Sequence, residues 1–231
     1  MRNFFRTNYA PNNATIVIAG AISPAEARRL AERWFGDVPR GPEAPRNHPA
    51  GFTLDGNVFH TLEDRVQLPR VFNAWHTVRA FADDDAAISV LADILAGGRS
   101  SRLYKKLVYE LQIATQVSAY HDALKMDGSF RLSATARPGH DLNELQREID
   151  AQIRLVADSG PTAREVERVQ HQTEAQFLGR METVLGKADQ LNQYQYFVGT
   201  PDYFQPDLER YLRVTPADVQ RVARRYLASA H

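Results

Sequence analysis

Residues 36–51 read GDVPRGPEAPRNHPAG, with four prolines and three glycines in one short run. Proline has no amide to give a helix or a ladder, and glycine makes order entropically expensive. No helix or strand crosses such a run. The stretch is read as an extended linker, and a domain boundary is expected within it. The 231 residues are enough for one large domain or two small ones, and enough to bury a real core.

Charge and composition narrow the function classes. Lys plus Arg equals Asp plus Glu at 28 each, so no whole-protein basic field for nucleic acid exists. Cysteine is absent, which excludes disulfides and thiolate metal sites. No apolar run approaches the roughly 20 residues of a membrane span. The first residues, MRNFFRTNYAPNN, hold no long apolar core, so any export signal is expected outside this sequence.

Three helix starts follow from capping chemistry. Ser23 with Glu26, Thr162 with Glu165, and Thr215 with Asp218 each have the spacing of a capping box. Pro24 and Pro216 stand at first helical positions. The first helix is expected to stop at Gly36. Strands are expected at ATIVIAG (14–20), VFHTLEDR (58–65) and RVFNAWHT (70–77). IATQVSAYHDAL and GSFRLSATARP form a hairpin through KMDG. DDDAAISVLADILAGG reads as a helix with Ile88, Leu91 and Leu95 inward, ended by Gly97 and Gly98. SSRLYKKLVYEL is a second helix capped by Ser100 or Ser101. Leu142, Leu145, Ile149, Ile153 and Val156 mark the inner face of a third. A long helical region from Thr162 is interrupted near Gly186, and a last helix reaches Leu227. The order predicts an α+β fold, a mainly antiparallel sheet with helices packed on one face.

Several features invite a functional reading. GGRSS (97–101) is glycine-rich but lacks the Lys and Ser or Thr of a phosphate loop, so a helix-to-helix corner is expected. Arg99 and Arg102 are then of small consequence for stability. EDRVQLPR could lend a strand edge to a peptide, though an interdomain strand is the plainer reading. QYQYFVGTPDYF reads as a packed helix end. Arg224 and Arg225 read as a solvated terminus matched to its own helix dipole.

Five segments, in order, resemble the peptidase M16 family, the insulinase, pitrilysin and mitochondrial-processing-peptidase group. They are YAPNNATIVIAGAISPAEARRLAERWFGDVP, LEDRVQLPRVFNAWHT, LAGGRSSRLYKKLVYE, SATARPGHDL and VTPADVQRVARRYL. The resemblance runs from about Phe4 to Leu227. It implies repeated α+β domains arranged as halves of a clamshell, with zinc held by an H-x-x-E-H motif in the first domain. Residues 1–45 then correspond to the last strand and helix of the zinc-bearing domain plus a linker. Residues 46–231 correspond to the following domain, without its last strand. The resemblance also implies periplasmic or envelope placement in bacteria.

None of the seven histidines pairs at helical i, i+4 spacing. HQTEA, from His171 to Ala175, has His and Glu at the motif's spacing but alanine in place of the second His. No catalytic, metal or cofactor-binding residue is therefore expected in this chain, and zinc belongs to the parent protein. In active members an arginine and a tyrosine, seven residues apart, grip the substrate. Aligned through SRLYKKL and VSA, those positions are Val108 and Thr115, and neither can supply the donor. Tyr104 and Tyr109 lie nearby but out of register. The resemblance implies a non-catalytic portion of a zinc metalloendopeptidase that frames a peptide-binding chamber. The alternative is a non-enzymatic M16-like scaffold or assembly subunit. The implied partners are the zinc-bearing domain, the second M16 half and peptide substrates, with no nucleic acid and no membrane span. An open sheet edge after RRYLASAH leads to one further expectation. ATIVIAG would dock on the sheet of residues 52–231, within one chain or in a strand-exchanged homodimer.

Overall fold

The computed structural model describes residues 1–44 and 56–228. The expected boundary at 45/46 lies outside them. Two compact units are present, one from Met1–Gly51 with Ala175–Gln205, the other from Phe52–Glu174 with Pro206–His231.

In the larger unit the sheet has three described strands, β1 (Arg70–Thr77), β2 (Ala114–Ala123) and β3 (Gly128–Ala136), in the antiparallel order β1-β3-β2. The hairpin is closed by the Leu124 amide donating to Asp127 O at 2.8 Å. Side chains alternate across the sheet as the pleat requires. Trp75, Phe130, Leu132, Ala134 and Val117 face the core. Arg70, Phe72, Tyr120 and Arg131 take the alternate positions on the other face.

Helices α3 (Asp85–Ala96), α4 (Leu142–Ser159) and α8 (Pro216–Val222), the last preceded by α7 (Phe204–Leu212), supply much of the rest of the core, with Leu103, Leu107, Val166 and Val169 from other segments. The five inward positions expected on α4 behave as read: four are buried and Leu142 packs against the core. On α3, Val90 and Ile94 are buried along with Ile88, Leu91 and Leu95, so the helix is enclosed on most sides. The end of α4 is tied down from α8. Gln220 donates to Asp158 O at 2.8 Å, and Arg224 to Ala157 O at 2.5 Å. Arg224 thus serves the carbonyl end of a different helix, not its own solvated terminus, because packing brings α4 within reach.

The capping boxes at Thr162 and Thr215 are formed in both directions. Ser23 accepts from the Glu26 amide at 3.2 Å, but Glu26 turns to Arg29 and leaves that box half made. The expected helix starts at Arg102, with the Ser101 carbonyl accepting from the Lys105 amide at 3.0 Å, and widens to a π-helical turn over Tyr104–Glu110. The Ser101 hydroxyl does not cap it, but donates to Gly98 O at 2.6 Å. A second π-helical turn, Ala223–Ala228, continues α8.

The smaller unit contains α1 (Arg2–Asn8), α2 (Pro24–Phe35), the end of α5 (Ala163–Met181) and α6 (Val184–Phe197). The break between the last two falls at Thr183, whose hydroxyl accepts from the Gly186 amide at 3.0 Å. A side chain at Gly186 would collide with Arg180 O. The aromatic run is a packed helix end, with Tyr194 buried and 5.8 Å from Tyr203 between ring centroids. α2 has a marked apolar face yet no buried residue, and Trp34 and Phe35 stand exposed.

Two expected strands are absent from the described sheet. Residues 14–20 and 58–65 form no ladder. Their composition suits a strand, but a strand exists only against a partner. Over 64–66 the bonds are local: Asp64 accepts from the Arg65 amide at its side chain and from the Val66 amide at its carbonyl.

Candidate functional site

Val108 lies on the first π-helical turn and packs against the core. Thr115 is the extra residue of a β-bulge, opposite the step from Ala136 to Thr135 on β3. Its hydroxyl donates to Thr135 O at 3.3 Å. Tyr104 is partly buried against the core, whereas Tyr109 is 77% exposed. His171 is exposed on α5, 3.8 Å from Glu167 and 4.0 Å from Glu174. His48 and His231 fall outside the described residues. Among the described residues no three His, Asp or Glu side chains are grouped to hold a metal, so the residues present do not fit a zinc site.

Arg102 matters more than its neighbourhood in sequence suggests. It forms a two-pronged pair with Glu165, at 2.7 and 2.8 Å, across 63 residues of chain. The Arg102 pairing, against the opposing effect of burial and with help from the Thr162 amide, lowers the Glu165 carboxyl from 4.5 to about 2. Arg102→Ala is therefore expected to cost about 1–2 kcal/mol, discounted for partial solvent screening. A folded pKa below the unfolded one adds stability that is complete above pH 4.5 and lost as pH falls toward 2. Urea denaturation of both proteins between pH 7 and pH 2.5 checks this. The gap between them should shrink as the solution is acidified.

The most concentrated polar constellation was not legible in the sequence. Asp84 and Asp85, both buried at the start of α3, carry it. Asp84 does not cap its helix. Its oxygens accept from Arg221 at 2.6 Å, Arg225 at 3.1 Å and the Tyr226 hydroxyl at 2.7 Å. Burial opposes the charge on Asp84, but these donors outweigh it and its pKa falls. Burial and the Asp84 contact push the Tyr226 phenol up to about 12. A cavity of about 500 Å³ opens here, lined by Val78, Ala82, Asp83, Arg221 and Tyr226.

Asp85 faces the other way. It accepts from the Phe81 amide at 2.7 Å and from Arg210 at 3.2 Å. Phe81 has a positive φ of 60°, and the Arg210 guanidinium lies 4.7 Å from its ring. His121 Nδ1 is 3.1 Å from Asp85 but is not aligned as a hydrogen bond, while Nε2 meets the Thr77 hydroxyl at 3.0 Å. Thr77, His121 and Asp85 thus stand in the order of a nucleophile, base and orienting acid. Their side chains are enclosed, and a carbonyl substrate would have no approach to the Thr77 hydroxyl. The network holds the sheet to α3. The run DDD at 83–85 was the only sequence signal.

The open face of the sheet is the other candidate. Phe72 is 73% exposed and Tyr120 50% exposed. Between them Arg131 reaches Asp122 at 3.0 Å, and Ser118 meets Ser133 at 3.0 Å. A recess of about 230 Å³ lies between the three strands.

Among the described residues, a three-stranded antiparallel sheet with helices packed on one face makes the larger unit an α+β domain. The family profile described as the peptidase M16 inactive domain matches residues 1–173, and the chain belongs to that family. It is similar to the zinc protease PqqE of Helicobacter pylori, 25% identical over 235 residues, covering 98% of this chain and 51% of that one. The crystal structure of a protease from Helicobacter pylori superposes with a TM-score of 0.88 at 22% identity, over 97% of this chain and 55% of the other. The peptidase M16 inactive domain from Pseudomonas fluorescens superposes at 0.82 with 20% identity, over 98% and 53%. The chain spans about half the length of the curated relatives it matches.

Proposed function

We propose that this chain is the non-catalytic portion of a zinc-dependent M16 metalloendopeptidase and frames the chamber that holds the peptide. The observation that carries the reading is membership of the inactive-domain family by a chain that spans half of relatives named as zinc proteases. The degenerate gripping positions support it, since Val108 is packed and Thr115 is spent on a bulge. The uncovered apolar face of α2 supports a neighbouring domain on that side, because such a face is normally buried.

The expected behaviour is specific. Calorimetry of the chain with zinc should give no one-to-one tight site, and the chain alone should cleave no peptide. Co-expression with an H-x-x-E-H-bearing M16 segment of the same organism should yield a complex that cleaves peptides and loses activity on chelation. Tight stoichiometric zinc with chelator-sensitive cleavage by the chain alone would overturn the assignment. So would failure of every such segment to gain activity from it.

A further inference from the structure

We propose that the open face of the sheet carries a peptide subsite for a bulky apolar side chain followed by an acidic one. This rests on the chamber reading and adds the substrate chemistry. The recess lined by Phe72, Ala74, Tyr120, Arg131, Leu132 and Ser133 encloses about 230 Å³, room for one aromatic or large aliphatic side chain. Two exposed aromatic rings form its walls, one on each edge strand. An aromatic wall adds apolar burial and ring contacts without needing a polar match.

The charge on this face selects what lies beside that side chain. Arg131 is already occupied, with Asp122 at 3.0 Å and the Ser129 hydroxyl at 3.0 Å. His76 is paired with Asp127. Arg70 differs. Its Nε donates to the Thr135 hydroxyl at 2.8 Å and its guanidinium lies 5.6 Å from the Phe72 ring centre. No carboxylate pairs with it among the described residues. A guanidinium held by a hydroxyl and a ring, on a residue exposed to solvent, is prepared for a carboxylate. Arg70 sits two residues before Phe72 on β1, so both lie on one face at the spacing of alternate residues in an extended peptide. The occupant is thus an extended segment with Phe, Tyr or Leu at one position and Asp or Glu two positions away.

Fluorescence anisotropy tests this with two labelled, end-blocked peptides, Ala-Ala-Phe-Ala-Glu-Ala and its all-alanine counterpart. The 231-residue chain should bind the first at least tenfold more tightly than the second. Arg70→Gln should weaken the first peptide about tenfold and leave a Phe-Ala-Gln version unchanged. Tyr120→Ser should remove the preference for Phe over Ala. Both residues lie on the open face, and unchanged melting curves would establish that the variants fold. Equal affinity for the two peptides overturns the subsite, as does indifference to both substitutions. Concentration-dependent self-association abolished by the same substitutions overturns it too, since the face would then be a contact between copies. Cleavage by the reconstituted complex is read separately. Cleavage without selective peptide binding sinks the subsite and leaves the chamber reading standing.

Discussion

Asp85→Ala is expected to lower the unfolding free energy by about 3 kcal/mol, the low end of the cost of breaking a buried ion pair. Asp85 is buried, and three groups converge on it: the Phe81 amide, Arg210 and His121. The amide would lose its acceptor at a residue whose left-handed backbone is already costly. Arg210 retains Asp207 at 2.5 Å, which keeps the loss from being larger. Burial opposes ionisation of Asp85, yet the His121, Phe81 and Arg210 contacts prevail and its pKa lies below the ordinary range. Its contribution is therefore present at neutral pH and is lost on acidification below the ordinary carboxylate range. Thermal melts should show a drop of several degrees for Asp85→Ala, with Asp85→Asn intermediate. Equal melting temperatures for all three would mean that the network adds nothing to stability.

Phe130→Ala is expected to cost about 3–5 kcal/mol, the usual range for deleting a core aromatic. Phe130 is fully buried on the middle strand and meets Trp75 edge-on at 5.8 Å. The middle strand is hydrogen-bonded on both sides, so it has little freedom to close the void. Chemical denaturation should show the loss as a lower midpoint with an unchanged slope. Phe130→Leu should recover most of it. A loss under about 1 kcal/mol for the alanine variant would say that the core collapses around the gap, or that this sheet face is less tightly packed than its burial suggests.

These two residues mark different kinds of knowledge. Phe130 is readable from the chain because the strand pattern GSFRLSATA alternates, and alternation assigns a face. Alternation also places β1 at 70–77, turn residues place the hairpin at KMDG, and the helical period places the inner face of α4. Capping boxes at Thr162 and Thr215 are equally local, since both partners lie within four residues. The M16 resemblance is legible for a related reason: it rests on short segments in a fixed order.

What the sequence determined by itself was therefore set by neighbours along the chain: periods, the capping boxes at Thr162 and Thr215, and the hairpin turn. Tertiary structure alone decided the rest. Arg102 meets Glu165, Asp84 gathers Arg221, Arg225 and Tyr226, and Arg224 closes the end of α4 only after distant segments are packed. Residues 14–20 and 58–65 have strand composition and no strand, because a ladder needs a second edge that composition cannot specify. The physical reason is common to all of these cases. A long, charged side chain or an unpaired backbone takes whichever partner folding brings within about 3 Å, and local pattern carries no record of that partner.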